Sequence, residues 1–158
     1  MEKQQKNRSR NELRAASNLL SYEIDMFRFA SEEILSKRHA GSRLQNALIE
    51  SFVTHLRILY DFFLREPRED DISASHFLAG SPAALAELRK LDSTVLKVAR
   101  KRADKELAHL TYTRVGKTRE DKQWPCEQVV AEIDCIVDIF LNNVPCDCLG
   151  DRWDLRKA

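Results

Sequence analysis

From Glu12 to Lys37 the chain runs without a single glycine or proline, and its apolar residues fall at helical spacing: Leu13, Leu19, Leu20, Ile24, Phe27, Ile34 and Leu35. A segment of that length with a 3.6-residue period has one stable outcome, a long amphipathic helix. The same scarcity of breakers holds throughout, with four glycines and four prolines in 158 residues. That composition favours long helices over the turn-rich chains that β architectures need.

The breakers that do occur divide the rest of the chain. His39-Ala-Gly41 ends the first helix, and Ser42 is placed to cap a second, whose stripe is Leu44, Leu48, Phe52, Leu59 and Phe62 and which ends near Arg65, before Pro67. Glu66 to Gly80 reads as a connector with a short helical turn around Ser75 to Leu78. Ser81-Pro82 then supplies a cap and a proline at the first helical position. The third long segment kinks or restarts near Asp92-Ser93 and continues through Leu96, Ala99, Ala103, Leu107 and Leu110 to about Thr113–Gly116. A charged loop leads to Trp124-Pro125, and a last helix carries Val129, Val130, Ile133, Ile136, Val137, Phe140 and Leu141 before Pro145. Four apolar stripes are most simply buried together in an all-α, antiparallel four-helix bundle with a short connector helix. Residues 1–145 form that bundle in this reading, and residues 146–158 a tail that Leu149, Trp153 and Leu155 can pin to it.

Charged residues make up 32% of the chain and apolar ones 43%, the balance of a water-soluble domain. The opening Met-Glu-Lys-Gln-Gln lacks the apolar core of an export signal, and no apolar run approaches a membrane span. The expectation is therefore a cytoplasmic protein without membrane partners, with Cys126, Cys135, Cys146 and Cys148 as reduced thiols. Cys146-Asp-Cys148 lacks the spacing and second ligand pair of a zinc site, so neither metal nor cofactor is expected. Gly116-Lys117-Thr118 ends like a phosphate-binding loop, but Thr111 stands where that loop needs its first glycine.

A net charge of +1 conceals an uneven distribution: Arg89 to Lys122 holds eleven basic and five acidic residues. Such a segment either attracts polyanions or forms a solvated helix face laced with local pairs. Arg100, Lys101, Lys105 and Arg114 are its candidate nucleic-acid contacts. Within it, Arg102 and His109 have six residues between them. On a helix they project within roughly 20° of each other, at the edge of the apolar stripe. Glu106 lies beside them and Asp104 points away. An imidazole at the rim of an apolar groove exchanges protons near neutral pH, and a neighbouring guanidinium stabilises a phosphate that gains charge. That is equipment for metal-free RNA cleavage; the same two residues can equally be a hydrogen-bonded structural pair.

Here the sequence resembles the HEPN superfamily, helical bundles carrying an arginine, four to six residues, then a histidine on the helix nearest their dimer interface. The likeness runs loosely from Leu44 to Leu141, including Glu50-Ser-Phe-Val-Thr-His-Leu-Arg-Ile-Leu-Tyr-Asp-Phe-Phe63 as a second helix. It implies a metal-independent endoribonuclease of the toxin or phage-defence type, a homodimer with His109 as general acid or base and Arg102 on the phosphate. RNA is the implied substrate, and a nucleotidyltransferase-like antitoxin a partner. Ala103 follows the arginine directly, where active members carry Asn, Asp or His. That departure favours the alternative, a non-catalytic bundle of the same kind that binds RNA, a nucleotide or a protein. Glu106, Tyr112 and His55 are candidate supporting residues. Tyr112 can stack on a base or simply pack. His55, between Phe52 and Leu59, reads first as a buried, hydrogen-bonded core histidine and alternatively as support for His109. Arg57 and Asp61 are expected as a local surface pair. The dimer interface is expected at the edge holding Arg102, Glu106 and His109, because about 10.5 Å of helix axis separates arginine from histidine and a second chain would complete the site.

Overall fold

The computed structural model describes residues 8–106, 112, 115–118 and 120–156, and all regular structure among them is helical. Six α-helices follow in order: α1 (Arg10–Leu35), α2 (Arg43–Leu64), α3 (Ala74–Phe77), α4 (Pro82–Lys90), α5 (described over Thr94–Glu106) and α6 (Cys126–Asn143). Two 3₁₀ turns, Cys146–Cys148 and Asp151–Arg156, follow α6.

Each boundary has a chemical cause. Ser9 opens α1 through a reciprocal capping box: its hydroxyl accepts the Glu12 amide (3.3 Å) and the Glu12 carboxylate accepts the Ser9 amide (2.8 Å). The helix therefore begins at Arg10, two residues before the expected start at Glu12. Ser42 caps α2 by accepting the Gln45 amide at 3.1 Å, as expected, and the positive φ of Gly41 (77°) lets the chain turn into it. The kink expected at Asp92-Ser93 is a true restart, with the Ser93 hydroxyl accepting the Leu96 amide at 3.1 Å.

The long helices pack as successive neighbours. Glu23 meets His55 and Phe27 stacks on Phe52 at 5.1 Å between α1 and α2. Arg57 meets Asp104 and Asp61 meets Arg100 between α2 and α5. Ser93, at the head of α5, donates to Glu132 of α6, and Arg28 of α1 holds Asp134 of α6 at 2.6 Å. In the first two pairings residue numbers rise along one helix as they fall along the other, so those neighbours run antiparallel. Between them lies one apolar core, in which Phe62, Phe63, Phe77 and Phe140 meet edge to face with centroids 4.7–5.8 Å apart. Phe77 explains the short α3, which delivers one ring to the end of the core. No helix among the described residues is long and apolar enough to cross a membrane.

Three residues counted in the apolar stripes are exposed: Leu19, Leu35 and Leu44. Small residues take the inner face of α1 instead, with Ser17, Ser21, Ala30 and Ser31 all buried. Ser17 and Ser31 bond back to the carbonyls of Arg14 and Phe27, at 2.8 and 2.9 Å. The Ser17 end of that face receives the segment after α6. Gly150 donates to the Ser17 hydroxyl (2.8 Å), the Trp153 indole N–H to the Ser17 carbonyl (3.0 Å), and Arg14 pairs with Asp151 (2.7 Å). Residues 146–153 are thus strapped to α1, and Trp153 is buried.

Candidate functional site

Arg102 sits on the last described turns of α5, on the side facing the loop before α6. Its Nε donates to both carboxylate oxygens of Glu106 at 2.9 Å, one helical turn further on. Nη1 donates to the Gln123 carbonyl (2.5 Å) and Nη2 to the Asp121 carbonyl (2.6 Å). The guanidinium carbon lies 4.3 Å from the ring centre of Trp124, within cation–π range. Lys117 reaches the same Glu106 carboxylate from the loop. The arginine is 16% exposed and the glutamate 15%, so the cluster forms a closed clamp that ties the loop to α5. Burial raises the Glu106 pKa, but hydrogen bonds from Lys117 and Arg102, with their positive charges, outweigh it and hold the carboxyl below its ordinary value.

The loop is also tied within itself. Asp121 accepts the Thr118 amide (3.0 Å) and hydroxyl (2.9 Å), and these hydrogen bonds lower its pKa. The clamp was legible only in part. The i,i+4 spacing of Arg102 and Glu106 is local, whereas Trp124 and the two carbonyls come from a loop that periodicity does not place.

Other candidates separate. His109 and Arg114 lie outside the described residues, and with them the Arg102–His109 geometry and any contact of His55 with His109. His55 is half-buried, with Nδ1 at 2.6 Å from Glu23 and its ring edge to face with Tyr22, centroids 6.0 Å apart, a hydrogen-bonded packing residue between α1 and α2. Tyr112 is exposed. Lys97, Lys101 and Lys105 are exposed and recur every four residues along α5. Lys97 also meets Asp92 at 3.4 Å.

Arg100 points inward. It is buried, binds Asp61 through Nε (2.8 Å) and Nη2 (3.0 Å), and meets Asp104. Its pKa is raised, chiefly by the Asp61 hydrogen bond. This corrects the expected Arg57–Asp61 surface pair: Asp61 binds Arg100 and, at 3.5 Å, Arg65, and Arg57 turns to Asp104 at 3.3 Å. A buried guanidinium needs a carboxylate partner more than an exposed one does, so Arg100 wins the competition for Asp61. Nearby, Tyr60 donates to Asp92 (2.9 Å), and burial with that hydrogen bond pushes its pKa up to about 12.

Of the cysteines, Cys126 is buried and its thiol pushed up to about 11 by desolvation. Among the described residues no group of three or more His, Cys, Asp or Glu is placed to hold a metal ion. Compared with known proteins, the chain matches no family model, no curated protein and no solved structure.

Proposed function

We propose that the chain is a HEPN-like antiparallel four-helix bundle with a short connector helix, homodimeric, that binds RNA on the exposed basic face of α5 without cleaving it. The observation that carries this reading is the commitment of Arg102. In a ribonuclease of this type the arginine must offer open donors to a phosphate. Here it would first have to leave a carboxylate, two carbonyls and an indole face, each hydrogen bond to a charged group being worth about 1.5–3 kcal/mol. Ala103, where active members of the superfamily carry a polar residue, is buried in the core. Lys101 and Lys105, with Lys97 one turn earlier, present the charge that a phosphate backbone attracts. The rival reading is a metal-independent endoribonuclease with Arg102 and His109 as its catalytic pair. It retains in its favour the spacing of those two residues.

Anisotropy of a short labelled single-stranded RNA tests the binding. The combined Lys101→Glu, Lys105→Glu variant should bind more weakly on every sequence and flatten the log–log salt dependence by about 1.4, at about 0.7 for each lost phosphate contact. No binding at low salt, or binding that ignores both substitutions, rules the reading out.

A further inference from the structure

The side of α1 turned away from the core carries a second apolar row. Leu19 is 60% exposed, Tyr22 45% and Phe29 52%, and half-buried Met26 lies between the last two. The 3-4-3 spacing of these four is the a/d period by which one helix receives another, and the row runs about 15 Å along the axis. Across from it α2 shows Ala47, Ser51 and Thr54, small side chains closed at one end by Ile58 (41% exposed). The Glu23–His55 and Phe27–Phe52 contacts fix the levels, so Leu19 stands beside Ile58, and Phe29 beside Ala47 and Ser51. A bulky wall and a small one thus border a groove between two antiparallel helices.

Charge at the border decides what fits the groove. Over these levels the basic side chains are Arg28 and Arg57, and each is held by a carboxylate of another helix, Asp134 at 2.6 Å and Asp104 at 3.3 Å. Glu23 is matched with His55, and Asp25 has an interaction of its own. Two further exposed carboxylates stand on opposite rims: Glu32, one turn past Phe29 on α1, and Glu50, level with Phe29 on α2. Arg43 and Lys37 are exposed as well, but about 9 Å or more beyond Phe29.

We infer that this groove takes one amphipathic helix of another protein, apolar along one stripe and basic on both flanks. Shape asks for a helix. The a and d side chains of an incoming helix interleave with Leu19, Tyr22, Met26 and Phe29, while the small row of α2 lets its backbone come close. Met26 adds a side chain that adapts to different neighbours. The carboxylates choose the flanks. With Glu32 on one rim and Glu50 on the other, lysines or arginines beside the apolar stripe meet opposite charge on both sides. The same two groups turn away RNA and anionic membranes. They also disfavour a second copy, since a two-fold axis parallel to the helices would bring Glu32 of each protomer toward Glu50 of the other.

The probe is a labelled peptide of about eighteen residues, long enough to form a helix, with leucine at the a and d positions and lysine on both flanks. Its counterpart carries glutamate in place of lysine. Anisotropy at low salt should show the lysine peptide binding roughly tenfold or more tighter than the glutamate peptide, with the difference shrinking as salt rises. Phe29→Lys should weaken the lysine peptide by roughly thirty-fold, as loss of a central contact does. The combined Glu32→Lys, Glu50→Lys variant should reverse the preference, so that the glutamate peptide binds the tighter. These three positions are exposed, and the helical circular dichroism should not change. Absence of binding, equal binding of the two peptides, or lysine-peptide binding indifferent to Phe29→Lys overturns the inference. So does a light-scattering mass, without peptide, that falls from dimer to monomer on Phe29→Lys, which would give the groove to a second copy. Since no RNA is present, these outcomes are independent of the RNA-binding test.

Discussion

The guanidinium of Arg102 touches α5, the loop before α6 and the indole of Trp124 at once, so removing it has to loosen all three. Arg102→Ala should lower stability by about 2 kcal/mol, read as a shift in the urea midpoint. Arg102→Lys should recover only part of that, because an ammonium cannot fork to two carbonyls while lying on a ring. An unchanged midpoint would mean that the clamp contributes nothing. Glu106 gives the clamp a pH dependence. Its folded pKa is depressed, so its contribution is present above the unfolded carboxylate pKa and is lost as the pH falls through the lower folded value. The gap in thermal midpoint between wild type and Glu106→Gln should be widest at neutral pH and close as the pH falls below the ordinary carboxylate range. A gap that is constant with pH would contradict the ion pairing. The sequence makes Arg102 and Glu106 neighbours because they are one turn apart. It does not reveal that Asp61 belongs to Arg100, since the i,i+4 rule finds only local partners and these two meet across 39 residues of chain.

Helix existence and order could be read from apolar period and from breakers, because burying a stripe is what makes a helix stable in a protein. Which apolar residues face inward could not. Leu19 and Leu44 fall within stripes by spacing yet stand in solvent, while Ser17 and Ser31 are buried. At Ser17 the deciding factor is tertiary: α1 must accept the segment after α6 at close range, and a serine that satisfies its own hydroxyl allows it. Gly150 belongs to the same contact. A Cβ there would stand 2.4 Å from the Asn18 side-chain oxygen and 2.6 Å from the Arg14 carbonyl, one of them backbone that cannot swing aside. Gly150→Ala should therefore displace the strap and cost about 1–3 kcal/mol, with a red shift in tryptophan emission as Trp153 is exposed. A melting temperature equal to wild type would show that the strap contributes little.

At the scale of the whole molecule, the exposed lysines Lys97, Lys101 and Lys105 lie on α5, and the exposed apolar residues Leu19, Tyr22 and Phe29 lie on α1. The all-helical core was legible because it depends on pattern. The function of the Arg102 region was not, because it depends on where a loop lies against a helix. The most direct test is to incubate labelled single-stranded RNA with saturating protein, with and without chelator, and resolve it on a denaturing gel. On this account intact RNA is expected in both lanes, with the bound fraction read from the anisotropy of the same mixtures before they are denatured. Chelator-insensitive fragments that vanish with His109→Ala would contradict it and establish the ribonuclease instead.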